Sequence, residues 1–456
     1  MIEEKIMHEE EFNIEKLRNL LESGEVEEFR EEFLSHHPYD QATFYEKAEP
    51  NIRQLLYQYL SPKEMADIFE AIELDDDKYE DLFKEMNAMY AADLLSFMYT
   101  DDAVDVLNEL SKDQVASYLT IMDKDSAQQI KDLLHYEEYT AGSIMTTEFV
   151  AIPKNSTVRS AMNILRNAAP NAETIYYVFV VDDDQKLSGI VTLRDLILAE
   201  EDTLISSIMN DRVVSVSVSE DQEEVARMIK DYDFLAMPVV DYQHHLLGII
   251  TVDDIIDVLE EEASDDYSKL AAVSDMDTFD KGSFTAAKKR LPWLILLTFL
   301  GMLTANLMGM FEATLDQVAL LAVFIPLIAG MAGNSGTQAL AVAVRGIATG
   351  DIEEESKIKL LFREAGTGLI TGVVCGIVVV GLVYFWKGEL LIGVLVGTAV
   401  SSSIFVATLA GSFIPLLIHR MKIDPAVASG PFITTLNDII SILIYLGLAT
   451  TFLGSL

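Results

Sequence analysis

The chain has 456 residues, 50% of them hydrophobic, and a formal net charge of −42 at pH 7. Residues 286–456 contain ten acidic and ten basic residues, so the other 64 acidic and 22 basic residues, and with them the whole net charge, lie in residues 1–285. This excess argues against nucleic acid as a partner and makes dissolved cations the expected counter-charge.

Several enzyme and metalloprotein signatures are missing from the sequence. The single cysteine, Cys375, excludes disulfides within the chain, and the seven histidines lack zinc-ligand spacing. The sequence contains no GxxxxGK[ST] phosphate loop, which argues against ATP hydrolysis as an energy source. No nucleophile–base set is visible either, so we predict that the protein is not an enzyme.

Residues 1–136 show helical periodicity with almost no strand signal. Short units such as Glu64-Met-Ala-Asp-Ile-Phe and Gln114-Val-Ala-Ser-Tyr-Leu recur, the later ones roughly a dozen residues apart, which predicts an acidic, all-α superhelical domain of stacked short helices. A single irregular bundle is the alternative. The N-terminus lacks an apolar signal segment and is expected in the cytosol.

Residues 137–259 contain a duplication. Ser143-Ile-Met recurs as Ser207-Ile-Met, and Gly189-Ile-Val-Thr-Leu-Arg-Asp recurs as Gly248-Ile-Ile-Thr-Val-Asp-Asp, with a longer loop around residues 168–174 in the first copy. Each copy reads strand, helix, strand, turn, strand, helix. The pattern resembles a tandem pair of α/β CBS domains, at 137–200 and 201–259, and residues 260–285 are predicted to form an acidic connecting helix.

Residues 286–456 are predicted to form a five-helix transmembrane domain. The long apolar runs lie at 291–311, 317–344, 365–386, 390–418 and 426–453. Nine of the ten basic residues fall on one side of the membrane if the N-terminus is inside, which places the C-terminus outside. The last run carries Asp438 near its midpoint, and such residues generally face a partner, a cavity or an ion path.

The domain order and two membrane motifs resemble the MgtE family of magnesium channels over essentially the whole chain. The motifs are Pro326–Gln338, followed by Arg345-Gly-Ile-Ala, and Asp424-Pro-Ala with Gly430–Asp438. The resemblance implies a homodimer in the cytoplasmic membrane, with the pore between the two membrane halves and cytosolic Mg²⁺ closing it. No obligatory protein partner is indicated.

The expected pore residues follow from the chemistry of Mg²⁺, which keeps several waters and binds through one or two carboxylates. Two copies of Asp438 on a dimer axis would hold the hydrated ion. Gly330, Gly333 and Gly336 recur every three residues among polar side chains, which favours a pore-lining role over close packing. Gly368, Gly372 and Gly376, spaced by four, are typical of helix packing. The further pore candidates are Thr434, Asn437, Asn334, Gln338, Gly333, Gly336 and Asp424, the last of which also matches an N-cap before proline.

Acidic residues of the soluble half are the expected Mg²⁺ sensors. Asp101 and Asp105 lie four residues apart on one face of a predicted helix. Two carboxylates in these positions repel each other and destabilise the helix unless a cation bridges them. We expect Mg²⁺ to bridge that pair to the second CBS copy, and Asp254 and Asp257 to the connecting helix. The other candidate ligands are Asp221, Glu223, Asp233, Glu260, Glu261, Glu262, Asp265 and Asp266.

The Gly-x-x-Thr-x-x-Asp segments ending at Asp195 and Asp254 resemble the CBS ribose-binding motif. Tyr177 and Phe234 would stack an adenine, with Arg194 and Asp195 nearby, so an adenine nucleotide such as ATP is a hypothesis for the CBS pair. Function is expected to be Mg²⁺ import gated by internal Mg²⁺. The alternatives are a broader channel for Mn²⁺ or Co²⁺, and a CBS-regulated membrane receptor or scaffold that conducts nothing.

Overall fold

The computed structural model describes residues 13–72, 76–273, 282–350, 352 and 356–452. Contacts divide the chain into two compact units, Met1–Leu259 and Glu260–Leu456. The boundary falls within one continuous helix, Val252–Leu270, whose sequence has no glycine or proline to break it. The connecting helix is therefore not a separate helix from residue 260, and residues 274–281 of that prediction lie outside the described residues.

The first unit begins, within its described residues, with ten short helices. These are α1 (Ile14–Ser23), α2 (Val26–Leu34), α3 (Pro38–Lys47), α4 (Pro50–Tyr59), α5 (Pro62–Phe69), α6 (Asp76–Glu85), α7 (Ala88–Phe97), α8 (Thr100–Asn108), α9 (Lys112–Ile121) and α10 (Lys124–Leu133). Three successive helices start with Pro38, Pro50 and Pro62, since the fixed φ of proline suits the first helical position. Helix α5 packs on α3 and α7, and α7 on α9, so second neighbours stack as in a superhelix.

The rest of the unit contains two copies of a three-stranded sheet in the described residues. The first copy has β1 (Ala151–Pro153), α11 (Val158–Ala168), β2 (Tyr177–Val181), β3 (Leu187–Thr192) and α12 (Leu193–Leu198), and the second has α13 (Ile205–Ile208), β4 (Val216–Ser217), α14 (Gln222–Tyr232), β5 (Ala236–Val240), β6 (Leu246–Thr251) and α15 (Val252–Leu270). In both sheets the first two strands are parallel and the last two antiparallel. The predicted strands and their duplication are confirmed.

The repeated motifs contact each other across the two copies. A Cβ on Gly189 would lie 2.7 Å from Sδ of Met209, and a Cβ on Gly248 would lie 2.9 Å from Sδ of Met145. The methionine of each Ser-Ile-Met segment thus contacts a glycine of the other copy: Met145 of the first copy contacts Gly248 on β6, and Met209 of the second contacts Gly189 on β3. This exchange explains why the two segments recur together.

The second unit contains, in its described part, five helices long and apolar enough to cross a membrane. Its elements are α16 (Ser283–Gly309), α17 (Glu312–Gln317), a 3₁₀ helix (Ala319–Phe324), α18 (Ile325–Ala348), α19 (Ser356–Lys387), α20 (Leu390–Arg420), a 3₁₀ turn (Pro425–Val427) and α21 (Gly430–Thr451). The spans predicted from 317 and 426 begin just before or within these 3₁₀ segments, and their α-helical parts start at Ile325 and Gly430, with Pro326 and Pro431 in the first turn. Residue 453 of the last predicted span is outside the described residues.

Helices α18, α20 and α21 form the centre of the membrane half, and α19 packs along α20. The predicted packing role of the α19 glycines is confirmed: Cβ atoms on Gly372 and Gly376 would collide with backbone atoms of Ser401 and Gly397, and one on Gly368 would lie 2.9 Å from Cβ of Thr408.

Candidate ion-binding sites

Two helix N-termini bring acidic residues together in the first unit. Helix α8 is held at its start by remote carboxylates: Tyr99 N donates to Glu70 Oε1 at 3.0 Å, and Thr100 Oγ1 donates to Glu148 Oε1 at 2.5 Å. Asp254, the third residue of α15, reaches back to the residue before the helix: Thr251 donates to its Oδ2 from the hydroxyl at 2.5 Å and from the backbone at 3.3 Å.

We call the carboxylates gathered there the α8 carboxylate cluster: Glu70, Asp101, Asp102, Glu173, Asp253 and Asp254. One carboxylate oxygen each from Glu173, Asp253 and Asp254 lies within 4.8 Å of the others. Asp101 interacts electrostatically with Asp102, Asp254 and Glu173, and Asp102 with Glu70. The cluster therefore joins α5 and α8 to both CBS copies.

Burial makes this cluster electrostatically costly. Burial, with Asp102 and Asp254 nearby, raises the pKa of Asp101, a residue that is only 6% exposed. Burial and Glu70 raise the pKa of Asp102 to about 8, and burial raises the pKa values of Glu70 and Glu173 to about 7. These shifts all have the direction expected for carboxylates that lose water and face like charges.

Two buried oxygens of the cluster are orphaned. Among the described residues, Asp101 Oδ1 and Glu173 Oε2 have no hydrogen-bond partner. An unpaired buried carboxylate oxygen costs free energy that a proton or cation removes. Carboxylate oxygens are also the ligands that Mg²⁺ prefers, so the cluster fits a divalent cation.

Asp105 and Asp257 belong to an adjoining pocket of 390 Å³ that Glu70, Asp102 and His37 also line. Asp101 is buried and Asp105 exposed, so the predicted pair is split between the cluster and this pocket. Asp254, Asp257 and the acidic stretch 260–266 all lie on α15, so any ion between them would be held along one helix; this bridge stays a prediction.

The predicted sensor set around α14 is not brought together. Asp221 caps the start of α14 by accepting from Glu223 N at 2.9 Å, and Asp233 ends the helix with φ 54°. The 11-residue helix separates them by about 16 Å along its axis. Asp221 and Asp233 therefore cannot share one ion within a chain.

The end of α15 meets the loop before α21. Lys269 Nζ lies 2.5 Å from Asp424 Oδ2 and also contacts Asp265. Burial lowers the pKa of Lys269, but the two carboxylates outweigh that effect and raise it overall. Burial and Asp424 raise the pKa of Asp266 to about 6.

Asp424 also accepts from Ala426 N at 2.8 Å, which confirms its predicted N-cap role. The neighbouring Leu270 packs against a buried cluster formed by Leu340 and Val344 of α18 with Ala426, Ala428 and Ile433. Along the rest of this stretch Glu260 and Glu261 are exposed and Glu262 is half-buried. The end of α15 thus contacts the helices that carry the predicted pore residues.

Asp438 lies half-buried near the middle of α21. The seam between α18 and α21 is close at two glycines: a Cβ on Gly333 would lie 2.9 Å from Cγ2 of Thr434, and a Cβ on Gly336 would overlap the Asn437 amide. Asn437 is 1% exposed, and its Nδ2 and Oδ1 have no hydrogen-bond partner among the described residues.

The structure thus places Gly333 with Thr434 and Gly336 with Asn437 in close packing. Asn334 and Gln338 lie elsewhere, exposed on the face of α18 toward α19. Pore-lining roles for these residues stay predictions.

The nucleotide candidates occupy separate surroundings. Tyr177 packs against a small core of Phe179, Ala236 and Ile249, and Phe234 stacks on Tyr232 with centroids 5.3 Å apart. Arg194 is exposed. Thr192 is the N-cap of α12 and donates from Oγ1 to Asp195 at 2.6 Å, as Thr251 does to Asp254 in the second copy. An adenine site stays a prediction.

Sequence reasoning missed several members of these sites. Two signals were present: Asp101-Asp102 and Asp253-Asp254 are doublets at helix starts, and Glu173 lies in the longer loop of the first copy. The residues missed are Glu70, Asp102, Glu148, Glu173 and Lys269. Glu70, Glu148 and Lys269 gave no local signal, because their partners are distant in sequence.

Comparison with known proteins decides the family. Residues 325–448 match the family described as divalent cation transporter, 36–139 match the MgtE intracellular N domain, and 141–202 and 205–261 match CBS domains. The chain is 53% identical over 445 residues to the magnesium transporter MgtE of Enterococcus faecalis (strain ATCC 700802 / V583), covering 98% of each chain. This chain belongs to the MgtE family.

Solved structures resemble the cytosolic part of MgtE proteins. The soluble part of a magnesium transporter matches with a TM-score of 0.54 at 56% identity, over 55% of this chain and 98% of that one. The cytosolic domain of the Mg²⁺ channel MgtE in complex with ATP matches with a TM-score of 0.51 at 35% identity, over 54% of this chain and 100% of that one. The MgtE fold class predicted from the sequence is confirmed: an N-domain, a CBS pair and a membrane half with five apolar helices.

Proposed function

We propose that this MgtE protein is a homodimeric Mg²⁺ channel that imports magnesium across the cytoplasmic membrane. The observation that carries the proposal is Asp438, a carboxylate at the midpoint of a membrane helix next to a tightly packed polar seam. Two copies on a dimer axis would hold a hydrated ion through its waters. The driving force for two charges is about 4.6 kcal/mol per 100 mV, negative inside.

Orientation follows from the basic residues, nine of which flank the helices on the side of the N-terminus. The N-terminus, the CBS pair and α15 would then be cytosolic, and the C-terminus outside. Cysteine labelling of single-cysteine variants at residues 63 and 452, from either side of sealed vesicles, tests this topology. Labelling of both positions from the same side would contradict it.

The gating proposal rests on the α8 carboxylate cluster. At low internal Mg²⁺ its buried charges repel each other, and the contact between α8 and the start of α15 loosens. Mg²⁺ bound by Asp101, Asp254 and Glu173 would stabilise that contact, which an effector must do to shift a population. The same α15 continues to Lys269 and Leu270 at the helices that carry Asp438, so its position is suited to close the pore.

Magnesium flux into proteoliposomes, with and without Mg²⁺ on the side of the soluble half, tests both parts. We expect flux that falls as Mg²⁺ on that side rises. Absence of flux under both conditions would support a non-conducting receptor. If Mn²⁺ or Co²⁺ competes with Mg²⁺ uptake as effectively as Mg²⁺ itself does, the protein is a broader divalent channel.

We also propose that an adenine nucleotide such as ATP binds the CBS pair, because the 35%-identical solved relative is a complex with ATP. Tyr177, Phe234, Arg194 and Asp195 are the residues expected at that site. A thermal-shift titration of the whole protein with ATP tests the proposal, and no stabilisation at millimolar ATP would reject it.

A further inference from the structure

A groove lies between α18 and α19 in the membrane half, with Thr408 of α20 at its floor. Its volume is 490 Å³. The lining residues on which the inference depends are Asn334, Gln338, Glu364, Thr367, Thr371 and Cys375. The four from α19 are spaced by three, four and four residues, so they share one face over about 16 Å of helix.

Glu364 is the ionisable group of this groove. Its side chain is 8% exposed, and both hydrogen bonds from the exposed Arg363, at 3.2 and 3.1 Å, go to Oε1. Glu364 lies at the edge of the predicted span 365–386, and a carboxylate this buried needs a polar partner, which Arg363 supplies at Oε1. Glu364 belongs neither to the α18–α21 seam nor to the Lys269–Asp424 contact.

The hydroxyl groups of the groove are oriented as acceptors. Thr367 Oγ1 donates to Arg363 O at 3.0 Å, and Thr371 Oγ1 donates to Thr367 O at 2.8 Å. Their protons point to their own helix, which leaves oxygen lone pairs for the groove. With the amide oxygens of Asn334 and Gln338, the groove therefore offers acceptors beside the Glu364 carboxylate, whose charge Arg363 partly balances. Acceptors of this kind suit the waters of a hydrated cation.

The dimensions agree with that occupant. Six first-shell waters at about 30 Å³ each need about 180 Å³, less than half of the 490 Å³ available. Lipid chains would leave the two amides without partners. A hydrated divalent cation satisfies them without shedding its waters.

We propose that this groove is a second binding site for a hydrated divalent cation, held by Glu364 with Asn334 and Gln338 as outer-sphere partners. It lies on the face of α18 away from the Gly333–Gly336 seam and is separate from Asp438. The proposal rests on the proposed function in that Mg²⁺ is the expected cation.

The chain carries its own probe for this site. Cys375, its single cysteine, lines the groove 11 residues beyond Glu364. The experiment treats the whole protein in lipid nanodiscs with the permanently charged thiol reagent MTSET and follows labelling by intact mass, with Cys375→Ala as the labelling blank. We expect labelling, because a water-filled groove admits the reagent, and roughly tenfold slower labelling at Mg²⁺ about ten times its dissociation constant.

Glu364→Gln is the test variant and Glu389→Gln, an exposed glutamate just before α20, is its matched control. We expect Mg²⁺ to slow labelling in the control and to have no effect in Glu364→Gln. If Glu364→Gln does not fold, Gln338→Leu at an exposed position serves instead and should weaken the protection several-fold.

Two results would overturn the proposal. Absence of Cys375 labelling would mean that lipid or a helix of a second copy fills the groove. Undiminished Mg²⁺ protection in Glu364→Gln would mean that Mg²⁺ acts through the gating cluster. Neither readout depends on flux, so the channel proposal and this one fail separately.

Discussion

The α8 carboxylate cluster and the α18–α21 seam handle negative charge in opposite ways. The cluster places six carboxylates together, with two orphaned oxygens and raised pKa values. The seam has one carboxylate per chain, Asp438, beside a helix contact built from glycines, a threonine and a buried asparagine.

The difference indicates different tasks. Several buried carboxylates bind a cation strongly enough to alter packing, as a sensor must. One carboxylate that leaves the ion's waters in place binds weakly enough for the ion to leave, as conduction requires. The comparison therefore predicts that charge removal stops conduction at the seam and blunts regulation at the cluster.

The largest effect is expected from Asp438→Asn. The variant keeps the side-chain shape and loses the charge that attracts the ion, at a cost of about 3 kcal/mol, which corresponds to a flux reduced roughly 100-fold. Mg²⁺ uptake into proteoliposomes measures this effect. Asp316→Asn, at an exposed aspartate on α17, is the control and should retain flux, and normal uptake by Asp438→Asn would reject the pore assignment.

A smaller effect is expected from the double variant Asp101→Asn, Asp254→Asn. Neutralisation removes both ion ligands and mutual repulsion, and we expect the lost ligands to dominate because the bound ion is the switch. The Mg²⁺ concentration for half-closure should rise roughly tenfold, equivalent to about 1.4 kcal/mol, with the flux at low Mg²⁺ retained.

Hydrogen–deuterium exchange of α8 across a Mg²⁺ titration checks the same variant. The wild type should gain protection with Mg²⁺ and the double variant should respond only at higher concentrations. Asp113→Asn, exposed on α9, is the matched control. Wild-type exchange that is flat in Mg²⁺ would contradict the sensor proposal.

Sequence patterns predicted the features that depend on residues close together in the chain. Apolar runs gave the five membrane helices, and the duplicated segments gave both sheets, because hydropathy and repeats are visible along the chain. Contacts between distant segments were not predictable in this way. The i,i+4 spacing of Asp101 and Asp105 suggested one shared ion, yet tertiary packing buries the first and exposes the second.

The same limit applies to α15 and the glycines of α18. The stretch 252–270 has no helix breaker, which already indicated one helix, but the change in composition at 260 suggested a boundary. Gly330, Gly333 and Gly336 predicted a pore-lining role, but the sequence could not show which of them face α21. That depends on the rotation of α18 about its axis, which is set by packing with α20 and α21.

Gly336→Ala should test the seam. The new methyl group would overlap the Asn437 amide, and forcing the helices apart costs about 1–3 kcal/mol. Gly330→Ala is the control, since a Cβ there has no neighbour within 4 Å among the described atoms. Both tryptophans, Trp293 and Trp386, lie in the membrane half, so thermal unfolding followed by their fluorescence reports on this unit, and equal stability of the two variants would reject the close seam.

A pH dependence of Mg²⁺ sensing is the last expected effect. Burial raises the pKa values of Glu70 and Glu173 to about 7 and of Asp102 to about 8, so the closed packing around α8 binds more protons than a loosened one. Without Mg²⁺ that packing is therefore favoured at low pH, and it weakens as pH rises through 7 to 8. Mg²⁺ must displace these protons, so its apparent affinity should increase from pH 6 to 8, by about tenfold over this range for each displaced proton with a pKa near 7, and level off above 8. The measurement is α8 exchange protection in Mg²⁺ titrations at several pH values, and an affinity that falls or stays constant over this range would contradict the assignment of the cluster as the sensor.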